Sequence, residues 1–158
     1  MRAENEYQRH GTLAYLAAYD VHHARVIGRC DSTTGIAPFM ALAGQVMTSQ
    51  PYASASRVFW VVDNGASHRN WAAAKRLQGA FPNAEMVHLP VHASWLNQIE
   101  IYFSVVQRKL LTPDDFPDLA TLARRLLAFE TRYNATAKPF DWRFTRTDLN
   151  RLLSKLAA

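Results

Sequence analysis

Residues 57–68 read RVFWVVDNGASH. The first seven, 57–63, form an unbroken β-branched and aromatic run that ends in an acid. Such a run predicts a strand buried on both faces, as in a sheet covered by helices on each side. Asn64-Gly65 breaks the strand, and Ser67 is suited to cap a helix over 69–80 with Trp71, Ala74, Leu77 and Phe81 on one face. Pro82-Asn83 ends that helix, and residues 84–89 read as another short strand. A strand, a helix and a strand within about 30 residues indicate an α/β layer fold.

Upstream of this segment, LAYLAAYD (13–20) and RVIGRCD (25–31) flank the short turn VHHA (21–24) and predict a β-hairpin. Residues 35–47 are apolar at helical spacing, and 49–56 are a loop by composition. Downstream, after the loop at 90–93, Ser94 opens a helix over 95–110. Leu96, Ile99, Phe103, Val106 and Leu110 form its apolar stripe, and Asn97, Glu100, Ser104 and Gln107 its polar one. A further helix runs from Pro117 to about Asn134, with Pro117 in its first turn and Leu119, Leu122, Leu126, Phe129 and Tyr133 inward. Thr145 and Asp148 resemble a capping box for a last helix to about Leu156. The expected order is β β α β α β α α α, in one domain over residues 1–158 without internal repeats.

Composition narrows the class of protein. The chain has 158 residues, 49% of them hydrophobic and 20% charged, enough for an ordinary core and unlike a disordered tail. No apolar run approaches the roughly 18 residues of a membrane span. The first ten residues lack the apolar stretch of a signal peptide. The single cysteine, Cys30, excludes a disulfide framework and a Cys-rich zinc site, and fits a reducing cytoplasm. Lys and Arg number 18 against 13 Asp and Glu, a net charge of +5, which favours a polyanionic partner.

Two acids are candidates for chemistry. Asp63 ends the predicted buried strand, where functional groups gather in open α/β sheets; the plainer alternative is a carboxylate that only organises an Asp-Asn-Gly turn. Glu100 lies on the polar face of the 95–110 helix, with Asn97 one turn earlier to orient it; the plainer alternative is a solvated side chain. Thirty-six residues separate them. Two oxygen ligands on separate elements, without cysteine, suit Mg²⁺ or Mn²⁺ and not zinc. His68 follows Asp63 by five residues, where it faces either the site or a local hydrogen bond. His88 and His92 flank Pro90, which argues against a helical zinc pair. Trp95 reads as a rim or core anchor in preference to a base-stacking residue, and Trp60 as strand core.

The segments YQRHGTLAYLAAYDV (7–21), VFWVVDNGASH (58–68), HLPVHASWLNQIEIYFSVVQRKL (88–110) and YNATAKPFDWRFT (133–145) resemble, in order, the DDE-type endonuclease domain of bacterial insertion-sequence transposases. They are most similar to the insertion-sequence-630 family of the mariner superfamily. The resemblance implies a ribonuclease-H-like fold, a mixed sheet flanked by helices, and metal-dependent DNA strand cleavage and transfer. It implies that Asp63 and Glu100 are the family's second and third catalytic, metal-binding acids, with Asn64, His68 and Asn97 in support. The usual Tyr-Ser-Pro loop is replaced here by residues 91–94, and the usual Pro before Ile-Glu by Gln98.

The family's first acid lies on an opening, central strand, a few tens of residues before the segment that falls here on Arg9-His10-Gly11-Thr12. Only eight residues precede that segment, so the strand and its acid are expected outside this chain, as in a truncated or split transposase. Arg108, Lys109, Arg143 and Arg146 are candidate phosphate contacts. The expected partners are DNA (transposon ends and target) and either further copies of the chain or an upstream transposase fragment, with no membrane. The rival reading is an inactive remnant that binds DNA or full-length transposase subunits.

Overall fold

The computed structural model describes residues 11–65, 70–90, 97–112, 115–140 and 145–156. The chain begins with an antiparallel hairpin of β1 (Ala14–Asp20) and β2 (Arg25–Asp31), in register from Ala14 opposite Asp31 to Asp20 opposite Arg25. Helix α1 (Ile36–Met47) follows. Next come β3 (Val58–Val62), α2 (Asn70–Ala80) and β4 (Ala84–His88), with β4 parallel to β3 from Val58 opposite Ala84 to Val62 opposite His88. Helix α3 (Ile99–Val106) runs into a π-helical turn (Gln107–Leu111), and α4 (Leu119–Thr136) and α5 (Arg146–Leu156) complete the order. This is the expected sequence of elements. The result is a mixed α/β architecture of small sheets flanked by helices, compatible with a ribonuclease-H-like fold.

The four strands make two separate two-stranded sheets, β1–β2 and β3–β4. The hairpin is a wall shared by two cores. Leu16 and Ala18 of β1 and Ile27 of β2 face α1, in a core that continues through Phe39, Leu42, Val46 and Met47 to Trp60 and Val62 of β3 and Leu77 of α2. The opposite face, with Tyr15, Ala17, Tyr19 and Val26, packs against Ile99, Tyr102, Val106, Leu110 and Leu126 of α3, the π turn and α4. Alternation along a strand sends successive side chains to opposite faces, so seven hairpin residues serve both cores.

The second pair of strands departs from expectation. Trp60 and Val62 are buried, but Phe59 is 57% and Val61 48% exposed. Helices α1 and α2 cover only one face of β3–β4, so the apolar run is buried with period two and not on both sides. The α2 stripe is also rotated from its predicted setting. Ala73 and Leu77 are its buried residues, and Trp71 faces solvent.

The remaining corrections concern helix ends. Asn97 and Gln98 precede α3, and its first turn closes through three-residue bonds from Glu100 N–H to the Asn97 carbonyl (3.0 Å) and Ile101 N–H to the Gln98 carbonyl (3.1 Å). The predicted Ser94 cap and residues 95–96 lie outside the described residues. The π turn ends the helix, with Thr112 N–H donating to the Gln107 carbonyl at 2.9 Å. Pro117 stands outside α4, whose cap is Asp118; its carboxylate accepts from Thr121 N–H at 2.6 Å. The capping box of α5 forms as expected. Asp148 Oδ2 accepts from Thr145 N–H (3.0 Å) and from its hydroxyl (2.6 Å), and Thr145 Oγ1 accepts from Asp148 N–H (3.2 Å).

Polar contacts fix the hairpin at its turn, along its outer edge and at its centre. At its turn, Asp20 accepts from the backbone N–H of His22 (2.9 Å) and His23 (3.1 Å) and from the Tyr52 hydroxyl (2.6 Å), and its second contact with His23 is to ring Nδ1 (2.7 Å). At its outer edge, the Asn134 amide of α4 donates to the Val26 carbonyl and accepts from Val26 N–H, both at 2.8 Å. In its centre the Tyr15 hydroxyl donates to Glu130 Oε2 (2.8 Å) and lies 3.0 Å from the Tyr102 hydroxyl. Since Tyr15 gives its proton to the carboxylate, Tyr102 donates to Tyr15.

A Cβ on Gly28 would stand 2.5 Å from both Glu130 Oε2 and Tyr15 Oη. Gly28→Ala is therefore expected to cost roughly 1–3 kcal/mol through forced displacement of these part-buried groups, read as a lower urea midpoint with an unchanged slope. At the turn, burial opposes the charge on Asp20, but its hydrogen bonds from Tyr52, His23 and His22 outweigh this and bring its pKa to about 2. The folded value lies below the unfolded one, so this stability is complete above the unfolded carboxylate range and is lost as pH falls through about 2. Asp20→Asn should lower stability at pH 7 by about 1–2 kcal/mol and by much less at pH 2; a pH-independent loss would refute the assignment.

Candidate functional site

The site is built on the carboxyl ends of the parallel pair. β3 stops at Val62, and Asp63 follows directly in a tight turn whose Gly65 N–H donates to Asp63 Oδ1 at 2.9 Å. The neighbouring strand is tied to this point twice. Leu89 N–H donates to the Val62 carbonyl at 2.9 Å, and the Asn64 amide donates to the Leu89 carbonyl at 3.1 Å. Asn64 thereby clamps the ends of the two strands together. Asp63 is half-buried and Asn64 exposed.

Glu100 stands in the first turn of α3, the helix that follows β4, and is exposed. Asp63 directly follows the carboxyl end of β3, the position at which open α/β sheets place ligands. Glu100 comes twelve residues after β4 ends at His88, on a helix that packs against the hairpin. The helix carrying Glu100 is fixed two residues later by Tyr102, which is fully buried. Two residues is about 200° of helical rotation, so burying Tyr102 turns Glu100 outward. Asn97 lies before the helix, not one turn back on its polar stripe; its carbonyl accepts the Glu100 N–H at 3.0 Å and so helps to set the entry of α3. His68 lies outside the described residues.

The two candidate ligands are carboxylates, oxygen donors of the kind that suit Mg²⁺ or Mn²⁺. Among the described residues no group of three His, Cys, Asp or Glu residues is placed to hold a metal. The chemistry of the pair fits a hard cation; the number of ligands falls short of an enclosed centre.

Arg108 and Lys109 lie on the exposed side of the π turn, eight and nine residues after Glu100. Arg108 Nε donates to the Ser104 carbonyl at 3.2 Å, and Ser104 Oγ to the Glu100 carbonyl at 2.9 Å, so one row of α3 leads from the acid to the cation. Cations at a helix carboxyl end also interact favourably with its terminal carbonyls. Arg146 is exposed at the start of α5, and Arg143 lies outside the described residues. Among the described residues no helix is long and apolar enough to cross a membrane.

Sequence reasoning missed the residues that position the site. Burial, with neighbouring hydroxyl and carboxylate groups, holds the Tyr15 hydroxyl far above its ordinary pKa, and burial brings Tyr102 to about 12, so both stay protonated donors. Their partner Glu130 was detectable in one way. Leu126, Glu130 and Asn134 stand four apart on a single row of α4, so an inward leucine places two polar side chains against the hairpin.

A model of the DDE superfamily endonuclease matches residues 1–123, a span that contains β1 to β4, α3, Asp63, Glu100, Arg108 and Lys109. No curated protein and no solved structure matches the chain. With more than half of its length accounted for and a mixed α/β fold in place, the chain belongs to the DDE superfamily endonuclease family.

Proposed function

We propose that this chain is the catalytic domain of a transposase resembling the insertion-sequence-630 family, in a truncated or split form, acting on transposon ends and target DNA in the bacterial cytoplasm. The observation that carries the proposal is the succession of Asp63 and Glu100 behind adjacent parallel strands in a chain of this family. Asp63 and Glu100 would hold Mg²⁺ or Mn²⁺. Such ions, when bound by carboxylates, supply activation of a water or 3′-hydroxyl and stabilisation of the leaving oxygen in phosphodiester chemistry. Asn64 keeps the strand ends together, His68 and Asn97 border the acids in sequence, and Arg108, Lys109, Arg143 and Arg146 meet phosphates.

The third acid, on this reading, comes from a strand that pairs between β1 and β3. The separation of the strands into two sheets supports this, because a central strand is what would join them. It is supplied by an upstream transposase fragment. The second reading, an inactive remnant that binds DNA or transposase subunits, draws on the lack of a three-ligand group among the described residues.

Plasmid nicking separates the two. The chain alone is expected to be inactive with Mg²⁺ or Mn²⁺, and active when an upstream fragment bearing an Asp-ended strand is co-expressed. Asp63→Asn and Glu100→Gln should each abolish that activity while leaving the fold, followed by circular dichroism, unchanged. No nicking in any combination supports the remnant. DNA affinity should fall steeply between roughly 50 and 200 mM salt through counterion release. The double variant Arg108→Ala/Lys109→Ala should flatten the log–log salt slope by about two, roughly one for each phosphate that is no longer neutralised. An unchanged slope removes these two residues from the interface.

A further inference from the structure

Trp71 is 78% exposed, the highest exposure among the large hydrophobic side chains in the described residues. Its place explains how this arises. Ala73 and Leu77 are the residues of α2 turned into the core, and Trp71 lies about 200° around the helix from Ala73. Seating those two residues under β3–β4 leaves the indole no route inward. An indole carries about 150–250 Å² of surface suited to a flat apolar partner.

Two further features indicate what that partner is. Trp71 belongs to the first turn of α2, the helix that follows β3, so it emerges at the same end of the parallel pair as Asp63, eight residues earlier. Lys75 stands four residues after Trp71, on the same face, and is also exposed. Helix α2 contains no acidic residue. An exposed aromatic ring with a cation one turn away is the pairing used on single-stranded nucleic acid, where the ring takes a base and the cation a phosphate. A protein partner has no comparable need for Lys75 beside the ring.

We propose that Trp71 and Lys75 form a stacking platform for an unpaired base of the DNA strand that reaches Asp63. This deepens the reading of the chain as a DNA-cleaving domain and rests on it. The platform has no part in the chemical step. It positions a strand end whose bases have been parted, and it distinguishes frayed or single-stranded DNA from intact duplex.

The test is equilibrium binding of the full chain, by fluorescence anisotropy, in EDTA so that no turnover occurs. The probes are a single-stranded oligonucleotide, the same length of abasic strand, and a blunt duplex. Trp71→Ala should weaken single-strand binding by about tenfold, within the range alanine substitution gives for base–aromatic stacking. Trp71→Phe should keep most of the affinity, and duplex and abasic binding should be nearly unaffected by either change. The salt slope should be preserved in Trp71→Ala and reduced in Lys75→Ala. Equal single-strand affinity in wild type and Trp71→Ala overturns the platform while leaving the nuclease reading intact. An equal loss on all three probes also overturns it, since the ring would then not be reading bases. A fall from dimer to monomer in Trp71→Ala, without change in DNA affinity, would overturn it in favour of a subunit contact. Failure of the wild type to bind any probe at low salt removes both the platform and the reading on which it rests.

Discussion

The Tyr15 hydroxyl is the point at which three elements of the fold are fastened together. It receives a hydrogen bond from Tyr102 of α3 and gives one to Glu130 of α4, while its own strand is paired to β2. A part-buried carboxylate and the hydroxyls of Tyr15 and buried Tyr102 cost free energy where they lack a partner, so the three groups satisfy one another. It also requires open space on the strand opposite, which Gly28 provides by having no side chain. The ring of Tyr102 is further enclosed by Tyr133, with centroids 4.9 Å apart, edge to face. The orientation of α3 follows from this cluster, and with it the direction in which Glu100 projects.

The two candidate acids therefore belong to different packing units. Asp63 follows a strand held by α1 and α2, whereas Glu100 rides on a helix held by the other face of the hairpin. Between the units stands the hairpin itself, which contributes to both cores. Any change in how β1–β2 sits against α1 alters the spacing of the acids without touching either one. In this architecture, residues remote from the chemistry, such as Leu16 and Ile27, share control of its geometry.

Much of this was legible in the sequence because it is local. The hairpin shows as two strand-forming runs about a four-residue turn, and the α5 cap as Thr145 and Asp148 at the right spacing. Asp63 was legible as a site candidate because a strand-to-turn boundary is written in neighbouring residues. What could not be read was set by neighbours distant in the chain. The run Phe59–Val62 looks identical whether one or two layers cover it, so the exposure of Phe59 and Val61 depends on helices that a local pattern does not locate. Trp71 was placed inward because several faces of a short, alanine-rich helix satisfy a period of 3.6, and packing against β4 chose another. The Tyr–Tyr–Glu relay joins positions 87 and 115 residues apart, beyond any window of periodicity.

The amide of Asn134 imitates one residue of a neighbouring strand, offering β2 a donor and an acceptor where a backbone would have offered them. An imitation made by a side chain cannot be extended, because its next covalent neighbour belongs to a helix. The hairpin consequently has a polarity across its width: side chains of α4 and α1 meet the β2 flank, whereas among the described residues no backbone hydrogen bond beyond the pairing with β2 reaches β1. The same contact that orders the outer flank hinders pairing of a further strand along β2.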